Sequence, residues 1–197
     1  MREIFKHYRF RVLFKGALVL FLTSSFFASC KKDEIIIQES HFTICSQLKE
    51  LQKNQPFVEK LSILYEESKV NNYETGYLLY PSNFEIYTFQ KIQGIPNSAT
   101  LSINVKDITQ GFIHCHYTNL YPTFSGSDIK AIYDLYDLGL IQNADRFICG
   151  VVTPFGPAYL LKVANLEQFL SFSESNFEGA MNFRNFESNY NNNRKNL

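Results

Sequence analysis

The chain has no run of 18 apolar residues, no tryptophan, no net charge and no internal repeat of useful length. The missing apolar run excludes a comfortable transmembrane helix, which takes about 20 such residues. The missing repeat excludes a solenoid or propeller array. Charge balances at 19 basic and 19 acidic residues, but unevenly along the chain. Five basic residues (Arg2, Lys6, Arg9, Arg11, Lys15) and one acid (Glu3) lie in residues 1–29, so the remaining 14 and 18 leave the body at −4. A mildly acidic body argues against nucleic acid as a general partner. Aromatic residues are plentiful despite the absent tryptophan: 19 Phe and 12 Tyr suffice for a core. A length of 197 residues fits one domain with appendages.

The N-terminus reads as an address. Residues 2–15 are basic, and residues 16–28 form a short apolar stretch. That is the layout of a secretory signal peptide over residues 1–29. The cleavage region Phe27-Ala28-Ser29-Cys30 resembles the lipobox of bacterial lipoproteins, in which the cysteine is acylated and becomes the new N-terminus. An ordinary signal peptide with an incidental cysteine is the alternative. Acyl chains on Cys30 would hold the protein on a bacterial membrane. Lys31 does not resemble an inner-membrane retention signal, which puts the outer membrane ahead of the inner. The domain would then lie in the periplasm or on the cell surface. Residues 30–45 form the lipidated cysteine and a charged tether, with His41 a surface residue.

The body, residues 46–190, reads as one domain. A helix is expected over 46–69, with Phe57, Leu61, Leu64 and Tyr65 on one stripe and Pro56 in the first turn of a helix. Strands are expected at 73–80, 84–90, 100–105, 111–116, 147–152 and 158–163. A helix is expected over 128–138, stopped by Gly139, and one or two more over 165–190. Residues 191–197 read as a disordered tail. This order gives an α/β or α+β fold, a sheet flanked by helices.

The chemistry concentrates in residues 111–128. A strand directs alternate side chains to one face, so His114 and His116 converge while Cys115 faces away. Two imidazoles with a nearby carboxylate suit zinc, and Asp128 can be the third ligand if the intervening loop folds back. Each piece also has a plain reading. His-x-His in a strand is more often hydrogen-bonded structure. Ser125-x-x-Asp128 is also the signature of a helix capping box, and both roles can hold together. Glu74 can be a surface strand residue.

Taken together, Glu74 in Tyr73-Glu74-Thr75-Gly76, His114-Cys115-His116 and Ser125-Gly126-Ser127-Asp128 resemble the motif of the JAMM (JAB/MPN-type) zinc metalloproteases. The resemblance spans about residues 50–165 and includes the order of the elements. It implies a mixed β-sheet flanked by helices, the MPN/cytidine-deaminase-like sandwich. It also implies Zn²⁺ on His114, His116 and Asp128, with Glu74 as general base and Ser125 as oxyanion donor. The substrate would be a peptide or protein, cut at a peptide or isopeptide bond. The sequence departs from the motif in three places. The loop from His116 to Ser125 holds eight residues where seven are usual. Tyr117 stands in place of proline, and Cys115 in place of serine or threonine. None removes a ligand. The alternative function is a non-catalytic MPN-like lipoprotein module for binding or structural roles. A weaker one is a metal-storage or sensing lipoprotein. Cys45, Cys115 and Cys149 remain after acylation and permit at most one internal bridge, with Cys115–Cys149 the first pair to test.

Overall fold

The structure is a computed structural model that describes residues 44–83, 86–141 and 143–194. The expected signal peptide, Cys30, His41 and most of the tether lie outside the described residues. The described chain is a mixed α+β fold, five helices with one five-stranded sheet.

The long helix expected over 46–69 is two helices, α1 (Ile44–Lys53) and α2 (Gln55–Val70). The break has a local cause. Asn54 is extended, and its side-chain oxygen accepts the Phe57 N–H at 2.8 Å, while Pro56 starts the new helix. Phe57, Leu64 and Ser68 then form the buried stripe of α2.

The sheet runs β2–β1–β3–β4–β5. β1 (Thr75–Pro81) lies antiparallel between β2 (Tyr87–Gln93) and β3 (Gly111–Cys115). β3 runs parallel to β4 (Ile148–Val152), with helix α3 (Gly126–Asp137) in the crossover, and β5 (Tyr159–Leu161) closes the edge antiparallel to β4. Helices α4 (Leu166–Phe177) and α5 (Ala180–Arg194) follow. α5 reaches into the expected disordered tail, so residues 191–194 are helical instead. Its aromatic face explains the order: Phe186 stacks on Tyr190, which donates to the Phe124 carbonyl at 3.1 Å.

Strand parity sorts the core into two layers. Tyr77, Leu79, Ile113, Cys115, Ile148 and Val152 pack with Phe57 and Leu64 of α2. Leu78, Phe112, Cys149 and Val151 pack with Ile132 and Leu135 of α3. Cys115 and Cys149 therefore lie on opposite faces, and Cys149 pairs with Phe112 while Cys115 pairs with Val152. Both thiols are free, so the Cys115–Cys149 bridge is excluded.

The strand expected at 100–105 is also absent. Its alternation is real: Leu101, Ile103 and Val105 are half-buried while Ser102 and Asn104 are exposed. Both edges of β1 are already taken by β2 and β3, and Ile103 and Val105 pack on the α3-side core without a ladder. Among the described residues, no helix is long and apolar enough to cross a membrane.

Candidate metal centre

The site forms where the C-terminal end of β3 meets the N-terminus of α3. His114 is in register with Gly76 of β1. The His116 N–H continues the ladder to the Val152 carbonyl at 2.9 Å, which keeps His116 on the same face as His114. Glu74 precedes β1 and reaches that face from the other side, with Oε1 3.7 Å from His116 Nε2. Two glycines make the approach possible. A Cβ at Gly76 would stand 2.6 Å from the Ile113 carbonyl and 3.0 Å from the His114 Cβ. A Cβ at Gly94 would stand 2.7 Å from the Thr100 carbonyl, and the Gly94 N–H donates to the Glu74 carbonyl at 2.8 Å. Sequence reasoning passed over both. Gly76 sits within the quoted Tyr-Glu-Thr-Gly unit and carried a usable signal there; Gly94 did not.

Asp128 arrives from α3. The Ser125 hydroxyl accepts the Asp128 N–H at 3.1 Å and donates to Asp128 Oδ2 at 2.8 Å, and the Ser125 N–H donates to the same oxygen at 2.6 Å. This is a full capping box, and it fixes the carboxylate that faces the histidines. The capping reading of Ser125-x-x-Asp128 holds, and the carboxylate that the cap fixes is the one that lies against His114. The far end of α3 is closed by a Schellman turn: the Leu140 N–H bonds the Leu135 carbonyl, and Gly139 adopts a φ of 69°.

The polar tips converge. His114 Nε2 lies 3.1 Å from His116 Nε2 and 3.2 Å from Asp128 Oδ1, and His116 Nε2 lies 3.6 Å from Asp128 Oδ2. His116 Nδ1 is 2.8 Å from the Tyr121 carbonyl, which can only accept, so Nδ1 carries a proton and Nε2 is the nitrogen turned inward. The Tyr117–Ser125 loop supplies that carbonyl. These three side chains could hold a metal ion.

No family model, curated protein or solved structure matches this chain.

The site is well shielded from water: His114 is 1 % exposed, His116 4 % and Glu74 6 %. Burial pulls the His114 imidazole toward neutrality, but the Asp128 carboxylate and then Glu74 outweigh it, so its pKa is raised. The Gly150 backbone adds a small upward push, although His114 Nδ1 makes no hydrogen bond of normal geometry. Burial pushes the Asp128 carboxyl up, yet His114 and His116 prevail and hold it well below the usual range. Glu74 shows the opposite balance. Burial raises its pKa, and the two histidines only partly offset that. The two neighbouring carboxyls are thus shifted in opposite directions, Asp128 down and Glu74 up.

A cavity of about 330 Å³ opens onto these groups. His114, His116, Glu74, Ser125 and Asp128 line it, so all five expected site residues meet in one place. Leu101 and Leu120 give it apolar walls, and Glu187 and Asn191 of α5 close another side. The α5 contribution had no signal in the sequence, because it depends on how a terminal helix packs.

Proposed function

We propose that this chain is a zinc-dependent peptide or isopeptide hydrolase of JAMM type with an MPN-like sandwich fold. The observation that carries the reading is the convergence of the three donor tips beside a buried carboxylate that is not one of them. Donors around tetrahedral zinc, with bonds of about 2.0–2.1 Å, stand roughly 3.3–3.4 Å apart. His114 Nε2 stands 3.1 Å from His116 Nε2 and 3.2 Å from Asp128 Oδ1, close to that value, and one ligand atom from each of the three residues lies within 4.8 Å of the others. Two nitrogens and one carboxylate oxygen are a ligand set that zinc accepts while keeping one position open.

Bound there, zinc supplies a Lewis acid that lowers the pKa of a water toward about 7 and polarises an amide carbonyl. The chain does the rest. Glu74 takes a proton from the attacking water and returns it to the leaving nitrogen, a role that its buried place beside the donor triad favours. Water adds to the carbonyl carbon, the C–N bond breaks, and a carboxylate and an amine result. The Tyr121 carbonyl holds the tautomer of His116, and Ser125 holds Asp128. As an oxyanion donor, Ser125 must redirect the hydrogen that it gives to Asp128 Oδ2.

The near-complete burial of both imidazoles favours a second reading, a non-catalytic module whose metal is structural. The segment order in residues 1–30 supports carriage of either one on the bacterial cell envelope through a lipidated Cys30. Elemental analysis of the protein purified without added metal tests the ligand set. The expected result is one zinc per chain, lost in His114→Ala and His116→Ala with the domain still folded. Metal-free wild type would contradict it.

A further inference from the structure

The cleft has a charge bias that its reacting residues do not explain. Three carboxylates line it, Glu74, Asp128 and Glu187, and among the described lining residues there is no Lys or Arg. Lys130, two residues beyond Asp128 on α3, is turned to Asp134 at 2.6 Å. Asp128 is engaged by the histidines and Glu74 lies against His116, which leaves Glu187, among the described residues, as the lining carboxylate without an ion pair to either histidine. Its helix is seated firmly there. A Cβ at Gly126 would stand 3.2 Å from Phe186, and the Ser127 hydroxyl donates to Glu187 Oε1 at 3.4 Å. A single such bond leaves most of the acceptor sites of that carboxylate unused. Asn191, one helical turn further on, lines the same cavity.

The geometry points to Glu187 as a specificity-determining residue that selects substrates with a cationic group beside the scissile amide. This rests on the hydrolase reading above. Among the described lining residues, a substrate cut next to a free terminal carboxylate finds no Lys or Arg to receive it, which argues against carboxypeptidase-type recognition. An internal amide flanked by a lysine or arginine side chain, or by a free amine, finds Glu187. An anionic neighbour is repelled.

Binding and hydrolysis are measured separately, on the full chain in detergent, with fluorescein-labelled peptides of one sequence. These carry Lys, Gln or Glu beside a central amide, and a fourth peptide ends in a free carboxylate at that point. In the Glu74→Gln background, anisotropy should show the Lys peptide binding about tenfold tighter than the Glu peptide. The free-carboxylate peptide should be the weakest, and metal-free protein should keep the order. Glu187→Gln should flatten the order and Glu187→Lys reverse it, at an unchanged melting temperature. Equal binding of Lys and Glu peptides, or an order that neither Glu187 variant alters, would overturn the inference. An order that depends on Glu187, with no hydrolysis by wild type, would contradict the hydrolase reading and leave this one standing. Equal hydrolysis of all four peptides would do the reverse.

Discussion

Asp128 and His114 stabilise each other's charged forms, so each titration carries a stability change of known sign. The Asp128 pKa is depressed. Its contribution is present above the unfolded value of about 3.9 and is lost as pH falls through the folded value. The His114 pKa is raised. Its contribution is fully present below the unfolded value of about 6.5 and is lost as pH rises through the folded value. Metal-free protein should therefore melt highest between about pH 4 and 6.5 with respect to these two groups. Zinc needs His114 neutral, and protons compete with it up to that raised pKa. The rise in melting temperature on adding zinc should grow from pH 5 to pH 8. A zinc effect that is largest at pH 5 would contradict the ligand assignment. The strand residues of the site were legible because parity alone aims His114 and His116 together. The carbonyl of Tyr121 was not, since a backbone acceptor leaves no mark on residue type.

At the scale of elements, the capping box of α3 is also the mount of the site. Ser125→Ala removes the acceptor for the Asp128 N–H and a donor to Asp128 Oδ2. The loss should cost about 0.5–2 kcal/mol of stability, as for other N-caps. It should also weaken metal binding by roughly 10–100-fold, as loss of a ligand-orienting partner does. Ser125→Thr, which keeps the hydroxyl, should restore most of both. Thermal melts and a chelator competition read the two effects, and unchanged metal affinity in Ser125→Ala would separate cap from site. Element types were mostly legible, and two failures have physical causes. Asn54 and Pro56 carry a helix boundary inside a continuous apolar stripe, and the stripe dominated the reading. Residues 100–105 alternate as a strand does, but alternation reports one buried side, not a ladder partner. Ser125 and Asp128 could be read both as cap and as site because both functions need the same fixed carboxylate.

At the scale of the whole molecule, the proposal joins an N-terminal anchor to a shielded cleft. Cys30→Ser should abolish lipid labelling and release the protein from membranes, read by metabolic labelling and fractionation. A membrane-bound wild type without lipid label would contradict the anchor. Closure of the cleft by α5 was out of reach of the sequence, since residues 187 and 191 meet the site through long-range contacts, the packing of Phe186 and Tyr190 and the Ser127–Glu187 hydrogen bond. The central claim concerns Glu74. Its carboxylate lies 3.7 Å from His116 Nε2, buried, with a raised pKa and outside the donor triad. Glu74→Gln keeps size and most hydrogen bonds but cannot accept a proton. Zinc content and hydrolysis of an internal amide are to be measured on the same preparation of wild type and Glu74→Gln. The expected result is equal zinc and a loss of hydrolysis of about 10²–10⁴-fold. Equal hydrolysis by the two proteins would contradict the account.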